Sequence, residues 1–438
     1  MSIAMHARTL FNITRTRKLV NVFMTLAGFA VPMCMSCTSS TTLEDIPEIE
    51  PTSVDALTFT CQMQENEKEH VTRASHSLTT GFAVSTFKAH GLTTQQTVMN
   101  CYKVEYKTSG TAWDGNVRPF WDYTTVTGQS EKYWDYASFP YRFHAVAPYP
   151  SDGHTVTIGD KTLTINAPYY MQTVTNGVVT PTNAEPYIVA QVQRNGDGRD
   201  YDMFVSGTDN EINKVSQTLN RYVSLPFHHV NSKVRFAVYC TSPWATANPL
   251  YIKDLVVSAC STDFVTAATG YTATGTAPSV ATDPNFSWYV GSGTSGFTGL
   301  TKVPAATPAT HTTLLTFTGG KDVPDNDLSK HQSRSSAYWL QCPGGIKQIP
   351  QEGVQLCVSF ELYKKADDGS PYKTFTNIPV KLELENGDIQ YKFNWISGCI
   401  HTYYLIISGI EDKLEITFTA TLTPWVDVTG SLSTDLEQ

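Results

Sequence analysis

Short runs in which apolar and polar residues alternate, each closed by turn residues, recur from residue 81 to near the end of the chain. No stretch of about ten residues or more carries a strong helical period. Alternation with a period of two sends successive side chains to opposite faces of an extended strand, so each run predicts a half-buried strand. The runs fall at 82–87, 98–106, 141–147, 155–158, 163–165, 187–192 and 203–205, and then at 234–240, 251–258, 314–317, 337–341, 354–363, 378–384, 403–407 and 414–422. Gly159 and Asp160 separate two of them as a tight hairpin would. Residues 266–313 are poor in large apolar side chains and rich in Thr, Gly, Ala and Pro, which predicts long loops. Many short strands at close spacing predict an all-β sandwich architecture. The length of 438 residues accommodates two such domains, 56–215 and 216–438, with the boundary between Ser206 and Tyr222. Trp121, Trp134, Tyr136, Tyr141 and Phe143 are expected to pack the first core.

Residues ahead of the strands read as a targeting segment. Arg8, Arg15, Arg17 and Lys18 precede an apolar run at 19–31, too short to cross a bilayer and of the right length for a secretory leader. Cys34-Met35-Ser36-Cys37 comes next, and the small Ser36 before Cys37 suits a lipoprotein processing site at which Cys37 is acylated. Placing the lipid on Cys34 would put Met33 in the small-residue position. The leader is therefore 1–37, and two or more acyl chains would anchor the mature chain stably. Residues 38–55 carry Glu44, Asp45, Glu48, Glu50 and Asp55 with no Lys or Arg, and Pro47 and Pro51 keep this acidic tether extended.

Charge narrows the partners. Only 16 % of residues are charged, the net charge is −9, and no Lys/Arg run occurs beyond the first segment, which argues against nucleic acid and suits an exported β protein. Beyond Cys37 lie Cys61, Cys101, Cys240, Cys260, Cys342, Cys357 and Cys399, an odd number with no C-x-x-C pair. Buried apolar thiols are the expected reading, with disulfides permitted by the compartment.

The first strand stands apart from the others. Leu57, Phe59, Cys61 and Met63 alternate with Thr58, Thr60, Gln62 and Gln64; a charged connection occupies 65–70, and then comes Val71-Thr72-Arg73-Ala74-Ser75. This sets a single Arg among small uncharged residues, where an Arg-specific protease could cut between Arg73 and Ala74. Burying three or four apolar side chains is worth roughly 1.5–3 kcal/mol each, comparable in sum with a domain's net stability of about 5–15 kcal/mol. Cleavage would release a strand the core needs, and something else would have to fill the groove. The plainer reading is an ordinary first strand and an ordinary loop arginine. Near the C-terminus Leu414, Ile416, Phe418, Ala420 and Leu422 alternate with Glu415, Thr417, Thr419, Thr421 and Thr423 until Pro424, where pairing should stop. That segment is either a donor for the vacated groove of a neighbouring subunit or the last strand of its own domain.

Motifs for chemistry fail on context. Gly291-Ser292-Gly293-Thr294-Ser295-Gly296 has the glycine spacing of a phosphate loop, but Pro304 and Pro308 come after it and no helical pattern does. His228 and His229 are adjacent and point to opposite faces of a strand. Asp197, Asp200 and Asp202 depart from the calcium-loop spacing, with Arg199 in a ligand slot, and read as a solvated turn. No catalytic, cofactor-binding or metal-ligating residues are assigned, and the chain does not read as an enzyme.

Taken in order, Cys37 in its processing site, 71–74 around Arg73, Tyr201-Asp202-Met203-Phe204-Val205, the stretch 225–236, Trp395-Ile396-Ser397-Gly398 and Thr402-Tyr403-Tyr404-Leu405 resemble the fimbrillin family of minor-fimbrillin-like lipoproteins. The resemblance implies two transthyretin-like β-sandwich domains in tandem and export to the outer membrane as a lipid-anchored precursor. It further implies cleavage after Arg73 by an Arg-specific surface protease and polymerisation with other pilin subunits by donor-strand exchange. Two alternatives accompany it: an uncleaved anchor subunit, and a surface glycan-binding lipoprotein.

Overall fold

The structure, a computed structural model, describes residues 56–61, residue 78 and most of 81–424; residues 1–55, 62–77, 203–221, 275–293 and 425–438, with shorter internal stretches, lie outside the described residues. The described residues form an all-β fold of several sheets without a helix of seven or more residues, as the alternation predicts. None of their helices is long and apolar enough to cross a membrane.

One sheet runs in the order Asp200–Asp202, Ile188–Arg194, Tyr141–Ala147, Phe82–Lys88, Gln96–Lys107, Phe120–Asp122, with His228–His229 also pairing Ile188–Arg194. Its middle strands are covered on both faces. Phe82, Val84, Phe143, Ala145, Ile188 and Ala190 enter a first core, while the intervening Ala83, Val146 and Val189 enter a separate cluster with Leu163, Ile165, Tyr271 and Phe297. Every residue of Tyr141–Ala147 and Ile188–Arg194 is consequently buried. On the second face Arg142 donates to Gln193 Oε1.

A further core lies between two other sheets. Leu255, Val257, Leu315, Phe317, Val358 and Phe360 come from a sheet ordered Val178–Thr180, Thr173–Thr175, Thr312–Phe317, Tyr251–Ala259, Leu356–Tyr363, Lys373–Pro379. Val234, Phe236, Tyr403, Leu405 and Ile407 come from one ordered Tyr338–Trp339, Ser232–Cys240, Cys399–Ile410, Lys413–Pro424. Two sheets sharing one apolar layer make a β-sandwich.

Several expectations need correction. Residues 266–313 are not all loop, because Phe264–Ala268, Gly270–Thr274, Phe297–Thr298 and Thr301–Val303 are strands. Small and large side chains meet across the ladder there, with Ala273 facing Leu163 and Tyr271 facing Ile165. The run 378–384 is divided between the end of Lys373–Pro379, a strand whose exposed face is polar and so escapes an apolar count, and the short strand Leu382–Glu383. Among the described residues of 337–341, Tyr338–Trp339 is strand, after a 3-10 turn at Arg334–Ser336. The expected strand 203–205 lies outside the described residues.

Hydrogen bonding also crosses the expected domain boundary, which itself falls in 203–221. Thr162–Asn166 pairs Gly270–Thr274, Tyr169–Tyr170 pairs Phe264–Ala268, and Thr173–Thr175 runs parallel to Thr312–Phe317. In return Val223, Leu225 and Phe227 pack into the first core, Val230 into the intervening cluster, and Val234 and Phe236 into the sandwich. Sheet edges take the partner that satisfies their backbone groups, whatever its place in the chain.

Candidate functional site: the groove of the first strand

Thr58–Thr60 runs parallel to Tyr222–Ser224, with Thr58, Phe59 and Thr60 opposite Tyr222, Val223 and Ser224. Along its other edge the Leu57 N–H donates to Lys132 O at 2.7 Å, and Ala56 bridges Tyr133 in the antiparallel sense. The first strand is therefore held between two neighbours. Tyr123 closes the arrangement, its hydroxyl donating to Leu57 O at 3.0 Å and accepting from the Lys132 N–H at 3.0 Å. Burial pushes the Tyr123 phenol well above its ordinary range, so it stays protonated and able to donate.

Leu57, Phe59 and Cys61 lie at 0 %, 2 % and 8 % exposure in the first core, as the alternation predicts. The Phe59 ring meets Phe82, Tyr123 and Phe143 edge-on at centroid distances of 5.9, 6.2 and 6.1 Å, geometries that suit the aromatic quadrupole. Thr58 is corrected: expected on an open face, it is buried at 1 %. Burial keeps the Cys61 thiol protonated by raising its pKa.

The wall of the groove is also held by contacts that do not involve its occupant. Arg194 ends one strand and Asp200 opens the next, and a turn closed by Gly198 N–H donating to Asn195 O sets them opposite each other. Arg194 Nε and an Nη atom donate to the two Asp200 carboxylate oxygens at 2.6 and 2.7 Å, a bidentate pair with both side chains buried. The same pair holds Tyr222–Ser224: Arg194 donates to Tyr222 O at 2.6 Å, and the Ser224 N–H donates to Asp200 at 3.0 Å. Neighbouring residues of a strand turn their backbone groups to opposite edges. The ion pair thus occupies the edge of Tyr222 and Ser224 and leaves the Val223 edge to the first strand. The Trp134 ring lies 4.7 Å from the Arg194 guanidinium and covers the pair. Asp200 is fully buried, so the reading of 195–202 as a solvated turn is corrected, and sequence reasoning missed this residue's role. The signal available was Arg194 and Asp200 flanking a Gly-rich turn.

Trp121, Trp134, Tyr141 and Phe143 join the first core as expected, whereas Tyr136 is 63 % exposed. Cys37, Met63, Arg73 and Ala74 lie outside the described residues. Leu414, Ile416, Phe418, Ala420 and Leu422 lie in Lys413–Pro424, antiparallel to Cys399–Ile410 along its whole length, opposite Gly409, Ile407, Leu405, Tyr403 and His401. Pro424 lies opposite Cys399, and among the described residues the strand stands at the edge of its sheet. After Gly296, whose added Cβ would lie 2.7 Å from the Tyr271 ring, the chain enters Phe297–Thr298 rather than a helix, so this glycine serves strand packing. His228 is half-buried and His229 buried, in keeping with opposite faces.

No family model matches the chain, and no curated protein matches it. Among solved structures it is similar to a fimbrial protein from Bacteroides vulgatus, at 14 % identity over 85 % of this chain and 99 % of that one, TM-score 0.42. It is also similar to a candidate cell adhesion protein from Bacteroides uniformis, at 13 % identity over 85 % and 98 %, TM-score 0.31. A fimbrial assembly protein from Parabacteroides distasonis gives 10 % identity over 81 % and 95 %, TM-score 0.25.

Proposed function

We propose that the chain is a structural or adhesive subunit of a surface pilus, exported as an outer-membrane lipoprotein through Cys37 and assembled by exchange of its first strand. The observation that carries this reading is the contrast within the groove. Leu57, Phe59 and Cys61 are buried in the core, yet their strand joins its parallel neighbour through only three register pairs, while the Arg194–Asp200 pair holds that neighbour from its other edge. Such a strand leaves a preshaped, apolar, hydrogen-bonding slot when it is cut away, and strand addition is the interaction that fills a slot of that kind. An Arg-specific surface protease cutting between Arg73 and Ala74 would empty it, and other pilin subunits would supply the replacement. The 414–422 segment has the required alternation. Donation would require it to leave its pairing with Cys399–Ile410 or to form before that pairing closes.

N-terminal sequencing of the protein taken from intact cells tests the proposal. The expected mature chain begins at Ala74 and runs as a polymer, Arg73→Ala stays monomeric and lipid-labelled, and Cys37→Ala loses labelling by a fatty-acid analogue. A native surface form intact from Cys37 overturns cleavage and leaves an anchored subunit. Truncation after Asp412, with the fold checked by circular dichroism, tests the donor. A cleaved truncated chain that still polymerises excludes 414–422.

A further inference from the structure

Away from the groove, three adjacent strands of one sheet bring together side chains that are far apart in sequence. The order is Thr312–Phe317, Tyr251–Ala259, Leu356–Tyr363. Ala259 lies opposite Thr312, so continuing the antiparallel register by one residue sets Cys260 opposite His311. On the other side Cys260 N–H donates to Gln355 O at 2.8 Å, and Ser258 lies opposite Cys357, which puts Cys260 and Cys357 on one face, diagonally related. Val257, Ala259, Leu356 and Val358 fill the sandwich core, so alternation turns the three residues to the reverse face. Their ligand atoms all lie within 4.8 Å of one another; Cys357 is buried, and Cys260 and His311 are half-buried.

We propose that Cys260, His311 and Cys357 bind a thiophilic divalent cation of the zinc class. Two thiolates and an imidazole are the donor set that selects such an ion over calcium or magnesium. Zinc–sulfur bonds of about 2.3 Å and zinc–nitrogen bonds of about 2.0–2.1 Å put tetrahedral ligand atoms roughly 3.5–3.8 Å apart. Side-chain rotation of about an ångström therefore closes the cluster. The three protein ligands leave a fourth position facing solvent for water, or for a donor from another chain. Cys357 lies in one strand, Cys260 directly follows the second and His311 directly precedes the third, so the ion would tie the end of the sheet together. Diagonal neighbours on a sheet lie about 7–8 Å apart, beyond the usual disulfide span of about 4.4–6.8 Å between Cα atoms, which favours a shared ion over a bond. Among the described residues the His311 ring has no hydrogen-bond partner.

The test uses the purified full chain, reduced and stripped of metal by chelation. Zinc should bind with one ion per chain against a chromogenic chelator, and cobalt should produce thiolate charge-transfer absorption and the intense visible bands of a tetrahedral site. His311→Ala should weaken zinc by roughly tenfold or more, and Cys260→Ser should remove most of the charge-transfer absorption. Zinc should also raise the melting temperature of the natural chain and leave that of both variants unchanged. Because Cys357 is buried, Cys357→Ser is read only after its metal-free melting curve matches the natural chain's. Zinc and cobalt behaviour unchanged in Cys260→Ser and His311→Ala overturns the site. So does a Cys260–Cys357 disulfide found by peptide mapping of unreduced surface protein.

Discussion

The first and last strands are held in different ways. Thr58–Thr60 has three register pairs with its parallel neighbour, but its side chains reach the centre of a core and both of its edges are occupied. Lys413–Pro424 has a ladder twelve residues long and stands at an edge. The first has deep side-chain burial and a short parallel ladder, while the last has an extended backbone ladder to Cys399–Ile410. A strand held by burial can be replaced by any strand that offers the same alternate side chains. A strand held by a long ladder exposes its second edge while keeping its place.

The largest effect that sharpens this contrast is expected from Phe59→Ala, which empties the space among Phe82, Tyr123 and Phe143. A loss of about 3–5 kcal/mol should appear in denaturant unfolding of the uncleaved chain. A loss under about 1 kcal/mol would mean that burial does not hold the strand. Asp200→Ala should cost a comparable amount, about 3–5 kcal/mol, because it strands the buried Arg194 and frees Tyr222–Ser224. After cleavage it should also slow capture of a replacement strand, measured by polymer yield against an uncleaved control.

Acid probes the other end. His401 lies opposite Leu422 in the last ladder, and burial lowers its pKa from 6.5 to about 4. The folded state then keeps the ring neutral while the unfolded chain takes up a proton, so stability is full above pH 6.5 and falls as pH drops toward 4. The loss is at most about 3 kcal/mol. Stability measured across that window should show a shallower slope in His401→Asn; an unchanged slope would assign the acid sensitivity elsewhere, for instance to His144, whose pKa burial also depresses. Tyr123→Phe should cost about 1–2 kcal/mol by leaving Leu57 O and the Lys132 N–H without their shared partner. Thr419 is exposed on the edge strand, and Thr419→Lys should change stability by less than about 0.5 kcal/mol. A larger loss would show that the outer side of this strand is packed rather than open.

Legibility tracked the range of the interaction. The alternation of Leu57, Phe59 and Cys61 announced their burial because strand geometry repeats every two residues. The stop expected at Pro424 rests on an equally local cause, the missing donor a ladder needs, and the residues after it lie outside the described ones. Thr58 misled because a period of two marks which residues share a face, and an open second face was assumed. Its neighbour strand begins at Tyr222, more than 150 residues later. Residues 222–227 were placed at the head of a second domain by their position in the chain, whereas Val223, Leu225 and Phe227 complete the first core.

By itself the sequence determined that this chain would be built of strands, where most of them would lie, and which side chains of the first and last would be apolar together. Backbone pleating and turn chemistry act over two to four residues, and every such window is written in the chain. The tertiary structure alone decided that the Arg194–Asp200 pair would hold Tyr222–Ser224 beside the groove. It also decided that one sheet would be buried on both faces, and that Cys260, His311 and Cys357 would meet. Those contacts depend on which strand edges pair, a choice made by the packing of whole sheets and left unmarked by any local period.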